Sequence, residues 1–126
     1  MPTEKESLDY LGEFLIKNHR DRTLSTLEKS FAGQWKVKSL QEFQSFIKSL
    51  SAEQKEILFK GFEFIITGAL HDLLFNLMEE NHFTGRIKLL VDNHDAVKIS
   101  DGLHGEQFSK DGWIEKFSKY KETDKI

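Results

Sequence analysis

The stretch from Ala52 to Asn81, "AEQKEILFKGFEFIITGALHDLLFNLMEEN", constrains the fold of this chain more than any other. Its apolar residues, from Ile57 through Phe64, Ile65 and Leu73 to Met78, fall on every side of a helical wheel. A helix at the surface of a domain carries one apolar stripe, whereas one that is apolar all round belongs among other helices. The spacing therefore predicts a central helix over about 52–81, with Phe62, Ile65, Ala69 and Leu73 in its most buried positions. Ser51 and Gln54 have the spacing of a capping box at its start. Thirty helical residues would span about 45 Å, while a compact chain of this length has a radius of gyration of about 14 Å. A bend or break is expected near Thr67–Gly68, with Gly61 the second choice.

The flanking sequence supplies the partners. Leu8, Leu11 and Leu15 give helical spacing over about 4–19, and Leu24, Leu27 and Phe31 give it over about 23–32, with Gly33 as C-terminal cap. These two are also readable as one helix bent near Asn18–Arg22. In "SLQEFQSFIKSL" Ser39 and Glu42 have capping-box spacing ahead of the stripe Leu40, Phe43, Phe46/Ile47, Leu50. After Gly85 the period changes. Ile87, Leu89 and Val91 alternate with Arg86 and Lys88, and Val97 and Ile99 do so beyond the turn-forming "DNHD". This predicts an antiparallel β-hairpin, 86–91 with 96–100, packed by one face on the helices because two strands alone are marginal in water. A C-terminal helix follows, with Ser109 as N-cap, Phe108 and Trp113 as a hydrophobic staple, and Trp113, Phe117 and Tyr120 as the docking stripe. Residues 122–126 read as a loose tail. The expected class is α+β, predominantly helical: one domain over 1–126, with four to six helices around the central one, a hairpin at 86–100 and a final helix.

Composition excludes several functions. The chain has no cysteine, which removes disulfides, thiolate nucleophiles and cysteine-ligated zinc. The charged N-terminus "MPTEKESLDY" is not a secretory leader. No apolar run reaches the length of a membrane span without charges. A cytoplasmic protein without a membrane partner is expected. A net charge of −3 argues against a nucleic-acid partner, which needs basic surface to displace counterions. The charge is unevenly spread: between Gly61 and Glu106 eight acids stand against three bases.

The candidate site residues gather around "ISDGLHGEQF", 99–108, where His104 sits between two glycines with Asp101 and Glu106 close by. Imidazole beside carboxylates suits proton transfer or metal binding near neutral pH. A strand-to-helix connector uses the same residue types for conformational reasons, and that plainer reading comes first. His71 and Asp72 interrupt the apolar helix. One dipeptide of this kind also occurs in the metal set of helical phosphohydrolases, but His94–Asp95 falls in the hairpin turn, away from any bundle. A structural hydrogen bond, with Trp35, Trp113 or Tyr120 as donor to a buried Asp72, is the simpler expectation. The "HRD" at 19–21 has none of the other motifs of a kinase beside it. No phosphate loop, nucleophile elbow or zinc-protease helix is present.

Two functions from different classes follow. The first is a non-catalytic protein-binding module. Its acidic face, Asp92, Asp95, Asp101 and Glu106 with His104, would meet a basic protein, as an inhibitor or immunity-type protein meets a toxin. The second is a small enzyme or ligand-binding domain in which His104 and Asp101, joined by His71 and Asp72, carry the chemistry, or His104, Asp101 and Glu106 hold a metal. No cofactor is expected, and the sequence leaves the oligomeric state open. A pocket uniting His71 or Asp72 with His104 would favour the second.

Overall fold

The structure, a computed structural model, describes residues 1–121. The expected tail at 122–126 lies outside them. Helix α1 (Glu4–Leu15) opens on Thr3, whose hydroxyl accepts the Glu6 backbone N–H at 3.1 Å while the Glu6 carboxylate accepts the Thr3 N–H at 3.2 Å. It continues through a π-helical segment, Ile16–Arg20, into α2 (Asp21–Phe31). The first two predicted helices are thus one continuous helix, and its π segment, where one more residue is inserted into the turn, falls close to the expected bend near Asn18–Arg22. Gly33, at φ 68, ends α2, and its own N–H and that of Gln34 return to the Ser30 and Lys29 carbonyls.

Helix α3 (Gln41–Lys48) does not begin at the predicted Ser39–Glu42 box. A 3-10 turn, Lys38–Leu40, precedes it, no side chain caps it, and its glutamine side chains instead hold the backbone of Trp35. Gln44 Oε1 accepts the Trp35 N–H at 2.9 Å, and the amides of Gln41 and Gln44 donate to the Trp35 carbonyl at 2.8 and 2.9 Å.

The long central helix, α4 (Ala52–Phe83), has 32 residues and opens on the predicted Ser51–Gln54 box. It is continuous. The expected break at Thr67–Gly68 or Gly61 is absent, because glycine inside a helix costs only about 1 kcal/mol relative to Ala and does not by itself end one. At about 48 Å it runs the length of the other elements rather than among them. They cover one side of it only. Thr67, Leu70, Leu74 and Asn81 are buried, Phe62 is half-buried, and Ile65, Ala69 and Leu73, predicted as core, are exposed.

The hairpin exists but is shorter than 86–100. β1 (Leu90–Val91) pairs antiparallel with β2 (His94–Asp95), Leu90 opposite Asp95 and Val91 opposite His94. Asp92 and Asn93 form the two-residue turn, both at positive φ (52 and 68), the combination that matches strand twist. The second predicted strand is helix α5 (Ala96–Ile99), because the Asp95 side chain accepts the Val97 N–H at 3.1 Å and starts a helical turn. Ala96 and Val97 are consecutive and both buried, which period-two alternation cannot give. A 3-10 turn (Leu103–Gly105) follows and then α6 (Trp113–Phe117), which starts at Gly112, not at the predicted Ser109. Ser109 has φ 85, outside the conformation of an N-cap, so no staple forms between Phe108 and Trp113.

The core joins Leu11, Ile16, Leu70, Leu74, Ala96, Val97, Leu103, Trp113 and Ile114, with Phe117 packed against it. The predicted docking of the last helix through Trp113 and Phe117 is present. Trp113 lies against Gly12, where a Cβ would come within 2.4 Å of the indole. Among the described residues no helix is long and apolar enough to cross a membrane.

Candidate functional site

Stretch 99–108 is first of all a connector lying on α4. Leu103 and Gln107 are fully buried, and the Gln107 amide donates to the Thr67 carbonyl at 3.3 Å. Its glycines build no cradle for a ligand. Gly102 is extended, at φ 172, and a Cβ on Gly105 would meet open space.

The same docking brings His71 and His104 together. Their ring centroids lie 5.3 Å apart, edge to face, and Phe75 contacts both rings, stacked on His71 at 6.5 Å and edge-on to His104 at 5.3 Å. Phe108 lies 6.2 Å from His71. Asp72 is exposed, not buried, and is not held by Trp35, Trp113 or Tyr120. Its carboxylate instead lies 3.1 Å from His71 Nδ1. That contact fixes the His71 ring and leaves Nε2 for other partners, an arrangement able to pass a proton or to donate one nitrogen to a metal. His104 Nδ1 is buried and has no hydrogen-bond partner among the described residues. Among those residues no group of three histidine or acidic side chains is gathered as a metal-ligand set.

The acidic residues are largely occupied with holding the fold. Asp92 accepts the Ser7 hydroxyl at 2.8 Å and ties the hairpin turn to α1. Asp95 caps α5 through one oxygen and accepts the Asn81 amide at 3.2 Å through the other. Glu106 accepts the Ser100 hydroxyl at 2.5 Å. Asp101 is exposed. Outside this segment, Asp9 is shared by two lysines, Lys116 at 2.7 Å and Lys5 at 2.9 Å. Partial burial pushes the Asp9 carboxyl up, but these two hydrogen-bonded ammonium groups outweigh it and hold it below the usual carboxylate range.

Two features escape the sequence reading. The first is Arg20, fully buried in the π-helical segment. Its Nε donates to Thr67 Oγ1 at 2.9 Å, and Nη1 donates to Ser118 Oγ at 2.9 Å and the Tyr120 carbonyl at 2.8 Å. Asp21 and Glu63 supply the countercharges at 3.4 and 3.6 Å. Arg20 and Asp21 of the "HRD" triplet are therefore the polar centre of the fold, with His19 exposed, and Glu63 is explained as Arg20's partner on α4. No local signal marks this, because the partners are about forty to a hundred positions away.

The second is the uncovered side of α4. Ile57, Phe64 and Ile65 are 64%, 72% and 64% exposed, and a Cβ at the nearby Gly61 or Gly68 would meet nothing within 4 Å. An apolar groove of about 260 Å³, lined by Phe46, Leu50, Gln54, Ile57 and Leu58, continues this face toward α3. Single exposed apolar side chains are ordinary on a monomer, but a contiguous row of them marks an interaction surface.

No protein-family model, no curated protein and no solved structure matches the chain.

Proposed function

We propose that this protein is a non-catalytic protein-binding module whose contact surface is the uncovered apolar face of α4. The exposure of Ile57, Phe64 and Ile65 on one side of the helix carries the reading. The aromatic and aliphatic side chains there are of the kind that anchor protein interfaces, and the adjoining groove gives such an interface depth. Replacing Phe64 and Ile65 together by Ser tests it. Both side chains are largely in water already, so the melting temperature should stay within a few degrees of wild type. Any protein association of the wild type, with itself or with another chain, should be lost. A wild type that associates with nothing the double variant fails to bind removes the reading.

The acidic segment enters as a steering element. Asp92 and Asp101 are exposed, and their charge would speed the approach of a basic partner, of which a toxin neutralised in the cytoplasm is the narrowest form. Asp101→Lys should then slow association at low salt and make little difference at high salt.

One observation favours the ligand-binding alternative: the 5.3 Å approach of His71 and His104. Two imidazoles would be completed by water or substrate on a divalent ion such as zinc. An NMR titration with Zn²⁺ that follows the ring signals of both histidines is the check. Signals that do not move remove the alternative.

A further inference from the structure

A second concavity has no residue of α4 in its walls. It holds about 350 Å³ along one face of the first helix, where Lys17, Arg22 and Lys29 line it together with Trp35 and Lys119. Its helical residues recur at three- and four-residue intervals and so share that face. Two other segments close on it. The Trp35 indole N–H donates to the Thr26 carbonyl at 3.1 Å, and the Trp35 backbone N–H donates to Gln44 Oε1 at 2.9 Å. The Lys119 backbone N–H donates to Asp21 Oδ2 at 2.9 Å. Thr26 and Asp21, the two anchor points, stand about 8 Å apart along the helix. The two walls therefore flank a space little more than one helical turn wide.

These walls are cationic in a chain whose acids outnumber its bases, 21 to 18. Lys17, Arg22, Lys29 and Lys119 face one carboxylate, Asp21. That carboxylate is buried, lies 3.4 Å from the Arg20 guanidinium and accepts the Ser118 hydroxyl at 2.6 Å, so its charge is already matched inside the fold. Lys17 is paired with Glu13 at 2.7 Å. Among the described residues Arg22, Lys29 and Lys119 have no carboxylate at ion-pair distance. Lys29 Nζ lies 5.6 Å over the Trp35 ring, and Lys119 Nζ 5.3 Å over that of Tyr120. Like charges gathered around one concavity repel each other and cost stability until an anion enters. A lone carboxylate brings one negative charge, whereas a phosphate group brings about 1.5–2 at neutral pH. The planar fork of an arginine matches phosphate oxygens, and flexible lysines add point charges around them. The volume falls within that of small-molecule sites, about 300–1,000 Å³, and the half-buried Trp35 gives the pocket an aromatic wall on which a planar ring can stack.

We propose that this pocket binds a small molecule carrying two or more phosphates, held between Arg22, Lys29 and Lys119. The site is separate from the apolar face of α4 and stands or falls independently of the protein-binding reading. The two tryptophans give the test an internal control, because Trp35 lines the pocket while Trp113 is buried in the core. In an NMR titration of the full chain with inorganic tripolyphosphate at physiological ionic strength, the Trp35 indole N–H signal should shift and saturate while that of Trp113 stays in place. Citrate should bind at least tenfold more weakly. ATP without metal separates the two sources of phosphate: tighter binding than tripolyphosphate names a nucleotide with its base on Trp35, and equal binding names the phosphate chain alone. Arg22→Glu with Lys29→Glu should weaken tripolyphosphate binding at least tenfold, and Lys119→Glu, on a different segment, should weaken it by itself. All three side chains are exposed, so the melting temperature should stay near that of wild type. Lys48→Glu with Lys98→Glu makes the same change in net charge outside the pocket and should leave affinity within twofold. A Trp35 signal that tripolyphosphate does not move overturns the proposal. Citrate binding as tightly as tripolyphosphate, or an equal loss in the Lys48 and Lys98 control, overturns it as well, since either would reduce the effect to general attraction of anions.

Discussion

The two sides of α4 invert the usual relation between polarity and burial. The covered side carries Glu63, Thr67 and Asn81 among Leu70, Leu74 and Met78, while the open side carries Ile57, Phe64, Ile65, Ala69 and Leu73. Hydrophobicity alone therefore did not choose the covered side, since both sides have enough of it. The polar groups distinguish them. Thr67 receives Arg20 at its hydroxyl and Gln107 at its carbonyl, Glu63 faces Arg20, and Asn81 donates to the Ile87 carbonyl at 3.1 Å and to Asp95. A rotation of α4 about its axis would leave each of these unsatisfied in an apolar setting, at a cost of about 1–3 kcal/mol per neutral group and more for the charges. Leucines tolerate rotation, and a buried guanidinium does not. A few polar partners thus set the orientation of a helix whose apolar residues leave it undecided.

Breaking that orientation should have the largest effect. Arg20→Met removes the guanidinium that Asp21 and Glu63 face and the donor to Thr67, so two carboxylates lose their cation in a buried setting. A loss of about 3–5 kcal/mol is expected in urea unfolding. A neutral or stabilising outcome would show that packing alone orients α4. The adjacent pair Leu73 and Leu74 sharpens the comparison within one residue step, being 48% and 1% exposed. Leu74→Ala should cost about 2–5 kcal/mol, and Leu73→Ala less than about 1 kcal/mol, since it deletes surface that is already half in water. Equal costs would mean that the open side is covered in solution.

Gly12→Ala tests the opposite wall of the core. Its Cβ would lie 2.4 Å from Trp113, so α1 and α6 must separate, at about 1–3 kcal/mol. An unchanged melting temperature would show that Trp113 moves freely. The smallest effect is electrostatic. The Asp9 carboxyl titrates below its unfolded value, so its contribution is present above the unfolded carboxylate range, near pH 4, and fades as the pH falls through the folded value. Wild type should lose its advantage over Asp9→Asn as the pH drops below about 4, and the two midpoints should converge. Because Asp9 is a third exposed, the gap will be small. A gap that widens in acid would contradict the lysine pairing.

Much of the outline was legible locally. The Ser51–Gln54 cap, the length of α4, the joining of the first two helices, the Gly33 terminus and the Asp92–Asn93 turn each depend on residues within one or two turns of one another. Where a competing local bond existed, the reading failed. Asp95 capped a helix where alternation suggested a strand, and the glutamines around Trp35 displaced the Ser39 box. For the candidate site, the sequence marked His71, Asp72 and His104 as unusual but gave no means of joining them. Their approach depends on Leu103 and Gln107 anchoring the connector to α4, a contact between residues some thirty to forty positions apart.

The sequence by itself determined a cysteine-free, predominantly helical chain with one long apolar helix, a tight hairpin turn and an aromatic final helix. Capping, turn geometry and periodicity act over a few residues and can be read along the chain. The tertiary structure alone decided which side of α4 is covered, that Arg20 with Asp21 lies at the polar centre, and that Ile57, Phe64 and Ile65 stay exposed. A helix with no polar side has no preferred orientation until distant hydrogen-bond partners supply one, and those partners are neighbours only after the chain has folded.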